Sequence, residues 1–427
     1  MQVSGRNATP RSLRPRARPE QITRGATGTD ASRSDARCPQ TWVAPSVIRF
    51  DAIIVGGGPA GSSCARVLVR AGLRVAVIDR RRFPRVKPCG GWISAPVWDV
   101  LELSRREYPG GVWPWRRCHV RYRGRDHSIG ARGDFIRRVE LDDFLLRRSG
   151  AQRIQGTPVS SLERCDGAWV VDGVHAAPWL VGAGGTHCPV ARAIFPARRG
   201  HPVAAQEREF EADPTEIAAA RVGADGEPEL LLHDDLGGYS WNVPKGAWLN
   251  VGSGTASAKR VRSAWASARD FFLESGHLPE SARAPLQHVE GHAYHLFDPA
   301  HLQNAERDGA FLVGDALGLA HPLTAEGILP AVLSGRLCAE AILDGGPHAY
   351  GSRLAAHPTF RDYALTRELL RVLAALHRRG STASREPGPL ARAATARGFA
   401  WMFSGRRIPA GRLLSAALGV RRGGLPA

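Results

Sequence analysis

Three glycines, a proline and an aspartate carry the plainest chemistry in this chain. Asp51-Ala-Ile-Ile-Val-Gly56-Gly57-Gly58-Pro59-Ala60-Gly61 spaces Gly56, Gly58 and Gly61 as G-x-G-x-x-G. At a diphosphate these three positions provide, in turn, a tight turn, room for the phosphates to approach the backbone, and close helix–strand packing. A helix opening at Pro59-Ala60 offers unbonded N–H groups and a partial positive charge to the anion. Asp79, 23 residues after Gly56, stands where a carboxylate holds a ribose hydroxyl pair, with Arg80 beside it. The motif alone does not separate one dinucleotide from another.

These residues need a strand, a helix and a second strand to position them. Phe50–Val55 is a short apolar run ahead of the glycines and reads as a buried strand. Pro59–Ala71 carries small or apolar residues at Cys64, Val67, Leu68 and Ala71, a helical spacing that Gly72 ends. Arg74–Asp79, with Val75, Val77 and Ile78, is the second strand, so residues 50–79 form one βαβ unit. The pattern then turns antiparallel. His119–Tyr122 and Asp126–Ile129 flank a Gly124-Arg125 turn, Trp169–Asp172 and Val174–Val181 read as a hairpin around Gly173, and Glu229–His233 reads as a strand. Tyr239–Val243 and Ala247–Val251 alternate on either side of Pro244-Lys245-Gly246. Ala310–Val313 is again a buried-strand run, and Ile328–Leu343 and Tyr363–His377 read as helices.

Two further segments separate FAD from NAD, through resemblance. Phe311-Leu-Val-Gly314-Asp315 runs on to His321-Pro322-Leu-Thr-Ala-Glu326-Gly327-Ile328. With residues 51–79 it resembles the FAD-binding fold shared by aromatic hydroxylases and geranylgeranyl reductases. That resemblance implies that Asp315, after Gly314, binds the ribityl chain. It also implies that the Pro322…Gly327-Ile328 stretch starts a helix beneath the flavin ring, where a helix N-terminus stabilises negative charge. Lys87-Pro-Cys89-Gly90-Gly91 is similar to the Lys-x-Cys-Gly-Gly signature of the geranylgeranyl reductase family. Tyr239-Ser-Trp241-Asn-Val-Pro244-Lys245-Gly246 is similar to its Tyr-x-Trp-x-Phe-Pro-Lys-Gly motif at the substrate sheet. Arg138-Val-Glu-Leu141-Asp142 resembles its Arg-x-x-Phe-Asp motif, whose Arg lies near the flavin. The likeness covers residues 50–345.

There are departures. Gly182-Ala183-Gly184-Gly185 stands where the family has Gly-Ala-Asp-Gly, and the missing carboxylate puts direct NADPH oxidation in doubt. His187 and Cys188 replace a small residue and a Ser, and Ala325 replaces a glycine close to the flavin.

The fold expected is α/β: a Rossmann-like FAD-binding domain interrupted by an antiparallel-sheet substrate domain, with a helical C-terminal region. The boundaries expected are a disordered basic tail at 1–46, the first part of the FAD domain at 47–200 (with strands lent to the substrate side), the substrate domain at 201–304, the second part of the FAD domain at 305–345, and a basic helical region at 346–427. The formal charge of +18 over 427 residues does not signal nucleic acid. Residues 1–46 hold eight Arg against three acids and residues 346–427 fourteen against three, so the body between them carries only about +2. No zinc-finger spacing or RNP-like aromatic motif accompanies the charge. Seven scattered Cys without a CxxC argue against a disulfide scaffold or structural metal and fit a reducing cytoplasm. No apolar run is long enough to span a membrane.

The function the resemblance implies is reduction of C=C bonds in an isoprenoid or other apolar, lipid-like substrate by hydride transfer from noncovalently held reduced FAD. Cys89 faces substrate in that reading, and Tyr239 and Trp241 line the substrate sheet; the other side of each is a packing role. Lys87 supports the flavin, binds an anionic head group, or is simply an exposed lysine. Tyr239 and His321 are candidates for proton relay or for structure. The reductant is NAD(P)H or a ferredoxin-type donor protein. Other chemistries stay open: a monooxygenase in which reduced FAD captures O2, a halogenase, whose Trp-x-Trp-x-Ile-Pro motif the Tyr239 stretch also resembles, and an electron-transfer relay to a quinone or partner protein. Leu369, Leu370, Val372, Leu373 and Leu376 beside Arg367, Arg371, Arg378 and Arg379 form an amphipathic stripe. With Phe399, Trp401, Met402 and Phe403 ahead of Arg406 and Arg407, it suggests peripheral membrane contact.

Overall fold

The structure is a computed structural model that describes residues 47–197, 202–220, 226–345, 349–379 and 388–403. The tail at 1–46, Arg406 and Arg407 lie outside the described residues, as do the side chains of Leu373, Leu376, Arg378, Arg379 and Trp401.

The glycine motif sits at the middle of a six-stranded sheet. In spatial order its strands are Glu306–Arg307, Ala310–Leu312, Trp179–Gly182, Ala52–Val55, Val75–Asp79 and Gln152–Gln155. All neighbours are parallel except the first pair. Ala52–Val55 is buried at every residue, as expected of a strand covered on both faces. Helix Pro59–Arg70 leaves the glycine loop with Pro at its first turn, a position that requires no N–H. Helix Ile328–Leu343 packs along it: a Cβ at Gly335 would lie 2.1 Å from the Ala60 carbonyl oxygen. This pairing joins the two distant segments that carry the FAD signatures.

An eight-stranded sheet forms the other layer. Its order is Glu290–Tyr294, Val203–Glu211, Trp248–Thr255, Gly238–Lys245, Glu229–Leu232, Trp113–Tyr122, Arg125–Phe135 and Trp92–Ile93. Only the Glu229–Leu232 and Trp113–Tyr122 pair is parallel. Its strands come from both sides, along the chain, of the segment that supplies Trp179–Gly182 to the six-stranded sheet. Helix Pro389–Phe403 lies against this sheet, burying Ala396, Phe399, Ala400 and Phe403 with Cys118, Val120, Ile129 and Phe135. A small sheet of Ile48–Arg49, His175–Ala177, Ala168–Val171 and Leu162–Cys165 completes the set.

The α/β class, the interrupting sheet and the C-terminal helices match the expectation, with adjustments. The run Val174–Val181 is two strands, not one. His175–Ala177 closes the hairpin on Ala168–Val171, and Trp179–Gly182 leaves it for the parallel sheet. Pro178, lying between them, has no N–H to continue a ladder. The hairpin strand Gly238–Lys245 runs through Pro244 and Lys245 instead of ending before them. The helix expected at Ile328–Leu343 has those bounds, and Pro322 lies in the buried turn before it.

Candidate functional site

A cavity of about 620 Å3 lies between the two large sheets. From the six-stranded side its lining includes Gly56, Gly58, Pro59, Ala60, Asp79, Arg80, Asp315, Gly327 and Ile328. Arg85, Lys87, Cys89 and Arg138 come from the connection and the helix between the layers, and Tyr239 and Trp241 from the eight-stranded sheet. Of the site candidates read from the sequence, Gly61, Gly314, His321 and Pro322 do not line it. Gly61 packs behind the loop, where a Cβ would come within 2.0 Å of the Gly56 carbonyl oxygen. The Gly314 N–H donates to Ser334 Oγ at 2.9 Å, and Pro322 is buried in the turn.

The cradle suits an anionic dinucleotide. Gly56 has φ +116°, and a Cβ there would sit 2.4 Å from the Ala183 carbonyl carbon, so only glycine lets these two loops meet. Gly58 differs: its φ is −70° and the nearest atom to an added Cβ is Arg85 Nη2 at 3.5 Å. The space it leaves open is cavity. Asp79 accepts the Gly57 N–H at 2.7 Å through Oδ2 and the Arg81 N–H at 2.9 Å through Oδ1. Its carboxylate thus braces the glycine loop and still has lone pairs for hydroxyl donors.

Cations gather beyond the loop. Helix Arg138–Arg148 places Arg138 and Asp142 one turn apart, and they form a bidentate pair at 2.7 and 2.8 Å. Arg85 reaches the same buried carboxylate at 3.2 Å. The pairing raises the Arg138 pKa in spite of burial. Burial lowers Lys87 to about 8, with Asp315 pulling the other way. His292 approaches Asp315 at 3.6 Å, and that contact with the nearby cations holds the Asp315 carboxyl below its usual range in spite of its burial. A polyphosphate and a ring that gains negative charge both fit this lining.

The eight-stranded sheet presents a different surface. Trp241, Gly252 and Glu207 lie opposite one another across three strands. A Cβ at Gly252 would fall 2.2 Å from the Trp241 ring, so the missing side chain lets the indole lie flat over the sheet. Trp241 Nε1–H donates to Asn250 Oδ1 at 2.7 Å. Asn250 Nδ2 reaches the Cys89 carbonyl and Glu207 Oε1, both at 3.4 Å. Glu207 Oε1 also accepts the Cys89 N–H. Cys89 is therefore held on the cavity wall by both its backbone groups. Tyr239 and His321 are occupied otherwise. The Tyr239 hydroxyl donates to the Thr324 carbonyl at 2.6 Å. His321 Nδ1 accepts the N–H groups of Leu323 and Thr324 at 3.1 Å, and burial holds its pKa near 3. Both organise the turn before helix Ile328–Leu343. Ala325 in that turn has φ +59°, a conformation that suits the glycine it replaces.

Three cavity residues were not among the sequence candidates: Glu207, Glu326 and Tyr294. Burial raises both carboxyls to about 7 and pushes the Tyr294 phenol up. The only signal for Glu326 was its place within the Glu-Gly-Ile stretch. Phe403 of helix Pro389–Phe403 also lines the cavity, packing on Trp92 at 4.3 Å and Tyr239 at 5.5 Å between ring centres. Among the described residues no His, Cys, Asp and Glu cluster could hold a metal ion.

Residues 49–103 match the model of an FAD-binding domain family. The chain is 29% identical over 370 residues to a menaquinone reductase of Mycolicibacterium smegmatis, covering 76% of this chain and 85% of the relative. It is 29% identical over 315 residues to a geranylgeranyl diphosphate reductase of Rhodobacter capsulatus, covering 69% and 75%. Among solved structures it is similar to a geranylgeranyl bacteriochlorophyll reductase-like protein of Thermoplasma acidophilum, with TM-score 0.62, 19% identity, and 87% and 96% of the two chains covered.

Proposed function

We propose that this FAD-dependent oxidoreductase, which resembles the geranylgeranyl reductases, saturates C=C bonds of an isoprenoid or another apolar substrate such as an isoprenoid quinone. The observation that carries this reading is the single cavity joining a phosphate cradle to a wall of Cys89, Trp241 and Phe403. In it the six-stranded sheet is the cofactor side and the eight-stranded sheet the substrate side. Gly56, Gly58, Ala60 and the first turn of helix Pro59–Arg70 would hold the diphosphate, Asp79 and Arg80 the adenosine side, and Asp315 the ribityl chain. Arg138, Lys87 and the N-terminus of helix Ile328–Leu343 would offset charge at the ring. When bound, FAD supplies hydride.

The chain's own residues do the rest. Trp241, Tyr239 and Phe403 offer flat apolar contact to a hydrocarbon chain and exclude water from it. The Asn250–Glu207 clamp fixes Cys89 at the surface where that chain would lie. The named relatives are reductases, which favours this chemistry over monooxygenase, halogenase or electron-relay alternatives on the same fold. NAD(P)H and a ferredoxin-type protein are the two classes of donor to try. Among the described residues no helix is long and apolar enough to cross a membrane. Exposed Leu365, Val372 and Leu390 on the C-terminal helices support peripheral bilayer contact by a cytoplasmic protein that draws on a lipid substrate.

The test is anaerobic. Photoreduced protein is mixed with geranylgeraniol, with a menaquinone, and separately with O2. Reoxidation by an alkene, with the saturated product found by mass spectrometry, is expected. Reoxidation by O2 alone, with an oxygenated product, overturns the reading.

A further inference from the structure

Saturating a C=C bond takes a hydride and a proton, and the flavin cradle accounts only for the first. Resting on the reductase reading, we propose that Glu207 is the proton donor: its carboxyl O–H bond breaks as a C–H bond forms at the alkene carbon that does not receive hydride. The electron pair of that O–H bond stays on Glu207 as a carboxylate. The hydride and its two electrons come from reduced flavin, and water in the cavity returns the proton between turnovers.

The geometry selects this carboxyl. Strand Val203–Glu211 turns Glu207 toward the cavity, where its residue is 5% exposed. Oε1 is engaged by the Cys89 N–H and Asn250 Nδ2. The residue lines the cavity, and among the described residues Oε2 makes no hydrogen bond. One oxygen thus fixes the group while the other is free to hold a proton beside Cys89 and in the same cross-strand row as Trp241. A carboxylate left there unpaired is costly, which favours the acid form until a proton acceptor arrives.

Several groups face Glu207 or flank it. Lys245, fully buried, lowers its pKa but is bound to Glu209 at 2.6 Å. Glu209, two residues along the same strand, adds a like charge, Cys89 donates its N–H, and Tyr294 on the neighbouring strand stays a neutral phenol. His292, on that strand, is turned to Asp315. Burial outweighs these influences and leaves Glu207 titrating at about 7, suited to proton delivery near neutral pH. Glu326 also has an unpartnered oxygen, but its other oxygen is tied to Ser94 and Leu329 at the helix end, outside the row that carries Trp241.

The test compares the FAD-loaded protein with Glu207→Gln and Glu326→Gln. Gln at 207 keeps an acceptor for the Cys89 N–H and loses the acid. Infrared difference spectra between pH 5 and 9, without substrate, read the C=O stretch of a protonated carboxyl. Two carboxyl components that fade through about pH 7 are expected, one missing in Glu207→Gln and the other in Glu326→Gln; a spectrum that Glu207→Gln leaves unchanged overturns the proposal. With geranylgeraniol, anaerobic reoxidation of the wild type should slow as pH rises through about 7. In Glu207→Gln it should drop at least about 100-fold and lose that pH dependence, with the flavin content retained. Unchanged rate and profile, or loss of the profile in Glu326→Gln instead, overturns it. A wild type that reduces no alkene or quinone fails the reductase reading itself, and the proton assignment falls with it, whatever the infrared result.

Discussion

Gly58→Val separates cofactor binding from folding. Gly58 has φ −70° and an added Cβ meets nothing nearer than Arg85 Nη2 at 3.5 Å, so the protein itself has room for the change. The position is the N-cap of helix Pro59–Arg70, where exchanging Gly for an apolar residue costs about 1 kcal/mol. The branched side chain instead fills the space through which phosphate oxygens reach the helix N-terminus. Losing two charge-assisted hydrogen bonds there removes about 3–6 kcal/mol, or about 10²–10⁴-fold in affinity. The assay pairs flavin content and anisotropy titration of the apoprotein with a thermal melt. Gly56→Ala is the contrasting case. Its Cβ would collide with the Ala183 backbone, and it should lower the melting temperature as well as the flavin content. If Gly58→Val purifies yellow with undiminished affinity, the diphosphate does not lie on this loop.

Other variants probe the lining. Arg138→Ala leaves buried Asp142 with only Arg85, and should cost about 3 kcal/mol by denaturant unfolding; a loss under about 1 kcal/mol would show that Arg85 suffices. Glu326 is raised from 4.5 to about 7 by burial, so between these values the folded state holds a proton that the unfolded state has released, and stability falls as pH rises through the window. Glu326→Gln should flatten that slope and gain about 1–3 kcal/mol at pH 8, read from melts of the holoprotein. Phe403→Ala should weaken binding of an apolar substrate about tenfold or more while leaving the flavin content near wild type, since Phe403 touches Trp92 and Tyr239 and no cradle residue.

The half of the proposed site built on the glycine loop was legible because its demands are local. Gly56, Gly58, Pro59 and Asp79 act within one βαβ unit, where turn, helix start and strand end each leave a mark on sequence spacing. The apolar runs of the parallel sheet were readable for the same reason. Strand Val203–Glu211 was not. On its cavity side it carries Ala205, Glu207 and Glu209, so the alternation that normally marks a half-buried strand is missing. Asn250 and Glu326 are placed by partners far along the chain, Cys89 and Ser94. Arg138 and Asp142 were visible as a motif, but that they form a helical i, i+4 pair shared with Arg85 follows only from the packing.

Helix Pro389–Phe403 lends Phe403 to the cavity and packs on the sheet that carries Trp241 and Tyr239, the side opposite the glycine loop. On the proposed function, exchanging Phe399 or Phe403 for smaller or larger residues would change the fit of an apolar substrate while leaving the glycine loop untouched.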